Sequence, residues 1–248
     1  MTETSVLAVI PARYHSTRLP GKVLLDIAGR PMIEHVFRRV AAAKTIDAVI
    51  VATDDQRVAD VVESFGGVAC LTSSDHVSGT DRIAEVVSQV SCELVVGVQA
   101  DEPLLDPAIV DATVAPLRAD RRLSISTAAR AIADPSELAN PHVVKVVRDS
   151  EGFALYFSRA PIPHGRDRPA LTESRVHIGM YVYRRDVLLR LAALRPGVLE
   201  LAEVLEQLRA LENGIRIKVV DTSYELFGVD TPEDLERVRQ RMLTGVHQ

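Results

Sequence analysis

The chain has 248 residues, with 29 Lys and Arg against 34 Asp and Glu, for a formal charge of −5. Its 47% hydrophobic and 25% charged residues are those of a globular protein, not a disordered one. The acidic balance argues against wholesale nucleic-acid binding, which needs a basic face, and two cysteines, Cys70 and Cys92, cannot build a disulfide framework.

Val6–Ile10 is a continuous apolar run, as expected of a strand buried on both faces. It stops at Pro11, too early for a signal-peptide core or a membrane span. No basic residue precedes it, so a cytoplasmic location is expected. Pro31 opens a helix whose apolar face is Met32, Ile33, Val36, Phe37 and Val40. Ala48–Ala52 reads as a second buried strand. Val58, Val61, Val62 and Phe65 mark a helix ended by Gly66-Gly67. Val68–Leu71 is a third strand. Ile83, Val86, Val87 and Val90 give another helical stripe, and Leu94–Gln99 is a further strand. Strands and helices alternating at these spacings predict βαβ units and a parallel sheet. Ligands of such sheets sit at the carboxyl ends of strands. The loops after Pro11, Thr53 and Gln99 should therefore share one rim.

The pattern changes after about residue 120. Val143–Val147, Phe153–Phe157 and Val176–Tyr183 read as strands without intervening helices, with Asp149-Ser150-Glu151-Gly152 as a hairpin turn. We expect an antiparallel layer, residues 120–198, inserted into one domain spanning 1–248. Helices are predicted over Arg185–Leu194 and Glu200–Asn213, and strands over Ile215–Val220 and Tyr224–Val229. The last helix starts at Thr231-Pro232-Glu233-Asp234, with Thr as N-cap and Pro at the first helical position.

Three loops carry chemistry. Residues 11–39 hold six basic and two acidic side chains, a local charge of +4. Within them Pro11-Ala12-Arg13-Tyr14-His15-Ser16-Thr17-Arg18-Leu19-Pro20-Gly21-Lys22 offers three cations and two hydroxyls just past a strand end, a plausible polyphosphate cradle. It matches neither a Walker A loop nor a GxGxxG turn. Gln99-Ala100-Asp101-Glu102-Pro103 puts a carboxylate on the same rim, which suits Mg²⁺ beside phosphate oxygens. Asp230 could supply a second carboxylate, or simply precede a helix cap. Ser78-Gly79-Thr80-Asp81-Arg82 could read a base edge or phosphate, or simply cap a helix.

These segments strongly resemble the 3-deoxy-manno-octulosonate (Kdo) cytidylyltransferase family. The likeness runs from Ile10-Pro11-Ala12-Arg13 and Gly21-Lys22 through Ser78–Arg82, Gln99–Pro103 and Val144-Lys145-Val146-Val147. It continues in Ala154-Leu155-Tyr156-Phe157-Ser158-Arg159-Ala160-Pro161-Ile162-Pro163 and His177-Ile178-Gly179-Met180-Tyr181. It ends in Leu199-Glu200, Glu203, Leu205-Glu206-Gln207-Leu208-Arg209 and Gly228-Val229-Asp230-Thr231-Pro232-Glu233-Asp234. The resemblance implies a Rossmann-like, mostly parallel α/β sheet of the nucleotide-diphospho-sugar transferase type, with the antiparallel β layer inserted.

It also implies the reaction CTP + Kdo → CMP-Kdo + pyrophosphate, feeding lipopolysaccharide assembly. Arg13 and Lys22 would hold the triphosphate, and Asp101 and Asp230 the Mg²⁺. Pro11, Ala12, Ser78, Gly79 and Arg82 would complete the nucleotide site. Gln99, Arg159, His177, Tyr181, Glu206 and Gln207 would form the acceptor site, with Arg159 matching the sugar carboxylate. A homodimer through the inserted layer is implied, and that layer gathers Phe153, Tyr156, Phe157, Tyr181 and Tyr183.

The sequence departs from the family pattern at Ala100, where Gly is usual, and at Val176, where a cation usually precedes the strand His. The segment after Arg166-Asp167-Arg168 is also short. The last two departures keep 8-amino-Kdo or another acidic 2-keto sugar open as acceptor. A regulator that binds CTP without turnover is the alternative from another class.

Overall fold

A computed structural model describes residues 4–16, 19–167, 169–225 and 227–244. The chain divides into two compact units, Met1–Asp111 with Leu226–Gln248, and Ala112–Glu225. Thr17 and Arg18 of the basic loop, and Arg168, lie outside the described residues.

The first unit is built on a parallel sheet. Strand β1 (Thr4–Pro11) pairs in parallel with β4 (Ala48–Thr53) and β6 (Cys92–Gly97), and β4 pairs with β5 (Val68–Leu71). Val6 to Ile10 are at most 1% exposed, as their unbroken apolar run requires. Between β1 and β4 lie a two-residue ladder, β2 (Asp26–Ile27) with β3 (Arg30–Pro31), and helix α1 (Met32–Ala41). Pro31 is the N-cap of α1, one place earlier than expected. Helix α2 (Gln56–Ser64) buries Val58, Ala59 and Val62, and Gly66 follows it at φ +84°. Helix α3 (Gly79–Gln89) is capped by Ser78, whose hydroxyl accepts from the Asp81 amide. Strand β6 ends at Gly97, two residues earlier than expected. Cys92 is buried and Cys70 half-buried, both as free thiols.

Helix α4 (Pro107–Ala119) leads into the second unit and was not foreseen. Nor was strand β7 (Ile125–Ala131) or the short helix α5 (Pro135–Ala139). The predicted antiparallel strands are present as β8 (Lys145–Arg148), β9 (Ala154–Ser158) and β10 (Arg175–Arg184). The β8–β9 hairpin turns where expected, with the Gly152 amide donating to the Asp149 carbonyl and Gly152 at φ +78°. Strand β10 pairs antiparallel with both β7 and β8.

After β10 come α6 (Arg185–Ala192), α7 (Val198–Glu203) and α8 (Gln207–Glu212). The single helix expected over Glu200–Asn213 is therefore broken. Val204 stands at φ +54°, outside right-handed helical space, and separates α7 from α8. Strand β11 (Ile217–Thr222) pairs in parallel with β7. The strand expected over Tyr224–Val229 is not formed; its described residues are irregular. The chain then returns to the first unit with α9 (Pro232–Thr244). Thr231 caps it as predicted, its hydroxyl accepting from the Asp234 amide. Among the described residues no helix is long and apolar enough to cross a membrane.

Candidate active site

The chemistry of the first unit gathers at the carboxyl ends of β1 and β6. A cavity of about 350 Å³ lies there, lined by Pro11, Arg13, His15, Ser16, Lys22, Val23, Gly79, Gln99, Ala100, Asp101 and Asp230. The basic loop reaches it through a tight turn. Gly21, at φ +66°, donates its amide to the Tyr14 carbonyl, and a short 3-10 turn over Lys22–Leu24 follows. Arg57 of α2 lies over the Tyr14 ring, 3.5 Å from its centroid, and steadies the loop from outside. Gly79 packs against Pro11: a Cβ there would meet the Pro11 ring at 3.3 Å.

Lys22 stands between two carboxylates. Its Nζ is 2.7 Å from Asp101 Oδ2 and 3.2 Å from Asp230 Oδ1. Burial alone would push the Lys22 pKa down. Asp101, and after it Asp230, more than offset this and hold it above the ordinary value. Asp230 arrives because the segment before α9 is tied to the turn after β6, with the Val229 amide donating to the Asp101 carbonyl at 3.0 Å. Asp234 Oδ2 accepts from the amides of Asp230 and Thr231, which fixes the start of α9.

Among the described residues no three His, Cys, Asp or Glu side chains form a metal cluster. Two carboxylates converging on one cationic group are nonetheless a donor set for a hard divalent ion. Such an ion takes one or two carboxylates and completes its shell with phosphate oxygens and water. The same set lacks the nitrogen and sulfur ligands that zinc prefers.

Of the residues singled out for the nucleotide, Pro11, Arg13, Lys22, Gly79 and Asp101 line the cavity, together with Gln99 and Asp230. Arg13 Nη2 also donates to the His76 carbonyl at 2.8 Å. Ala12 and Arg82 have no exposed surface. Arg82 holds Thr72 Oγ1 at 2.5 Å and Asp54 Oδ2 at 2.8 Å, so it braces the segment leading to α3 from beneath. In this structure the Arg82 guanidinium is wholly enclosed and turned to these two acceptors. Ser78 spends its hydroxyl on the α3 cap. His15 and Ser16 line the cavity although neither was assigned a role; their place in the basic loop was the available signal.

The residues expected at the acceptor side lie in the second unit, Gln99 apart. His177 is buried, its Nε2 3.0 Å from Thr127 Oγ1, with Phe157 and Tyr181 rings at 5.0 and 5.3 Å. Burial pushes its pKa down to about 3, so the imidazole is neutral. His177 and Tyr181 share a face as their spacing predicted, across a register shift between Ile178 and Tyr181. The Tyr181 hydroxyl is enclosed and has no hydrogen-bond partner among the described residues. Its pKa is driven well up by burial, then by Tyr183 and the nearby Glu206 carboxylate.

Glu206 is the N-cap residue of α8 and Gln207 its first residue. Arg159 is held by Glu203, its amide donating to Oε2 at 2.9 Å and its Nε to the carbonyl at 3.0 Å. Val176 is 2% exposed and faces the core, while Arg175 bonds the Thr172 carbonyl at 2.5 Å. The second unit thus brings His177, Tyr181 and Glu206 together.

Comparison with known proteins gives a consistent result. The family model described as "Cytidylyltransferase" matches residues 7–217. A 3-deoxy-manno-octulosonate cytidylyltransferase of Geobacter sulfurreducens is 50% identical over 96% of this chain and 99% of its own length. One from Solibacter usitatus is 52% identical over 98% of this chain and 96% of its own. A solved structure of a CMP:2-keto-3-deoxy-manno-octonic acid synthetase complexed with CTP superposes with a TM-score of 0.94 at 44% identity, covering 98% of this chain and all of that one. A cytidylyltransferase from Leptospira borgpetersenii, 16% identical with a TM-score of 0.67, shares the fold.

Proposed function

The chain belongs to the 3-deoxy-manno-octulosonate cytidylyltransferase family, and from that premise we propose how its residues divide the work. The enzyme transfers CMP from CTP to Kdo. The anomeric hydroxyl oxygen of Kdo forms a bond to the α-phosphorus, the bond from that phosphorus to the bridging oxygen breaks, and pyrophosphate leaves. The hydroxyl proton is lost to the surroundings. No covalent enzyme intermediate is needed, so positioning and charge neutralisation carry the rate.

The observation that carries this reading is Lys22 lying within reach of both Asp101 and Asp230 on a rim that Arg13 and Gly79 also line. Arg13 and Lys22 bind the triphosphate and offset the charge that builds on the departing pyrophosphate. Asp101 and Asp230 hold Mg²⁺, which when bound supplies charge neutralisation and Lewis acidity toward the reacting oxygens. The approach of Gly79 to Pro11 leaves backbone, not side chain, facing the nucleotide. Ala100, where the family pattern has Gly, lines the same cavity.

For the acceptor we assign Gln99, Arg159, His177, Tyr181, Glu206 and Gln207. The neutral His177 and the enclosed Tyr181 hydroxyl are suited to hydrogen-bond sugar hydroxyls. Arg159 offers the guanidinium for the sugar carboxylate. The family further supports a cytoplasmic enzyme whose product enters lipopolysaccharide assembly. We also propose a homodimer: the second unit presents Leu155, Val198, Leu199, Leu201 and Val204 to solvent.

The test is pyrophosphate release with CTP, Mg²⁺ and a panel of 2-keto sugar acids that includes Kdo and 8-amino-Kdo. Release with Kdo well above a no-acceptor control is expected. No release with any acceptor, despite CTP binding, would sink the catalytic reading.

A further inference from the structure

Lys22 has two claims on it. The triphosphate needs its charge, yet its ammonium sits 2.7 Å from Asp101 and 3.2 Å from Asp230, on the two carboxylates assigned to the divalent ion. We propose that Lys22 is the resident counter-cation of this carboxylate pair, and that it yields the pair to the metal only when the triphosphate draws its ammonium away. The inference rests on the reading that Asp101 and Asp230 hold the metal.

The argument is electrostatic. The side chain of Lys22 is only 13% exposed, so its charge is poorly screened by water. An ammonium and a divalent cation on the same oxygens would repel at a few ångströms, where the interaction is worth several times thermal energy in a partly buried site. The two cations therefore exclude each other. Departure of Lys22 is feasible because only its flexible four-carbon stem has to move. Its backbone stays fixed by the Gly21 turn and by its own amide, which donates to the Leu19 carbonyl. Phosphate oxygens carry the charge that can compete for the ammonium.

Two consequences follow from linkage. Without nucleotide the protein holds divalent ions weakly, because binding must first break the Lys22 contacts. Nucleotide and metal then bind with positive coupling, each raising the affinity of the other. The cation is taken up with the triphosphate and not beforehand.

The experiment measures Mn²⁺ binding to the full chain without nucleotide, by the loss of the free-ion electron paramagnetic resonance signal. The proteins are wild type, Lys22→Met, Asp101→Asn and the double variant. Lys22→Met should bind Mn²⁺ about tenfold tighter than wild type or better, the scale expected when a nearby like charge is removed. Asp101→Asn in that background should abolish the gain. The melting temperature of Lys22→Met should rise with Mn²⁺ by more than that of wild type, which also verifies that the variant is folded.

If Lys22→Met binds no tighter while Asp101→Asn weakens wild-type binding, the hand-over is overturned and the metal assignment stands. If Asp101→Asn changes nothing in either background, the metal assignment falls and takes the hand-over with it.

Discussion

Arg82 Nη2 lies 2.8 Å from Asp54 Oδ2, and the guanidinium is completely enclosed. This pair joins the residue just after β4 to the first turns of α3. A residue expected at the nucleotide thus has a supporting partnership of its own. Arg82→Met should leave the Asp54 carboxylate without its partner and cost about 3–5 kcal/mol of stability, the scale for breaking a buried pair from one side. Urea denaturation checks this. An Arg82→Met protein with wild-type stability and only a raised KM for CTP would discard the supporting role in favour of direct contact.

The carboxylates should behave differently. Asp101 is 28% exposed at its side chain and Asp230 49%, so neither is a structural linchpin. Asp101→Asn removes one charge and keeps the shape. It should lower kcat by about a hundredfold or more, as losses of transition-state electrostatic groups do, and shift stability by less than about 1 kcal/mol. Steady-state kinetics with Kdo and CTP at saturating Mg²⁺, paired with thermal melts, separates the two effects. Wild-type turnover in this variant would remove Asp101 from the mechanism.

The exposed apolar residues of the second unit predict a quaternary state. Leu155, Leu201 and Val204 are 61%, 67% and 76% exposed. A protein that functions as a homodimer covers such residues with its partner. Wild type should sediment as a dimer at micromolar concentration. Leu201→Glu should shift it to monomer while changing the fold little, since an exposed site carries a small intrinsic cost. Monomeric wild type under those conditions would discard the interface.

How much of this was legible in the sequence differs by element for physical reasons. β1 and β4 announce themselves through unbroken apolar, β-branched runs; β5 is apolar too, although as an edge strand it leaves Val68 and Leu71 exposed. β7 does not, since Ser126-Thr127-Ala128-Ala129 is polar and small yet wholly buried, its hydroxyls paired with the Thr113, Ile178 and Met180 carbonyls. The break between α7 and α8 is silent too. Val204 adopts a backbone angle that glycine would ordinarily signal.

In the site, Lys22 and Asp101 stood out as a cation and an acid at strand ends. The partnership of Lys22 with Asp230, 208 positions away, exists only once the chain returns to place α9. The burial of Arg82 is likewise a tertiary fact, set by the Asp54 and Thr72 acceptors that lie 28 and 10 positions away.

His177 supplies a pH dependence whose sign can be worked out. Its pKa falls from 6.5 in the unfolded chain to about 3 in the fold, because burial disfavours the imidazolium. Between those values the unfolded state carries a proton that the folded state does not. Stability contributed by the neutral ring is therefore fully present above pH 6.5 and drains away as the pH falls toward 3, with a slope approaching about 1.4 kcal/mol per pH unit. Glu137, held at about 2 by Arg130, adds a loss of the same sign, but only below its ordinary value of 4.5. The window from 6.5 to 4.5 thus separates the histidine from this carboxylate. Denaturation midpoints measured across it should decline for wild type and flatten for His177→Gln, which keeps a hydrogen-bonding group near Thr127 without a titrating ring. A variant that declines as steeply as wild type would assign the slope to other groups and leave His177 without a part in it.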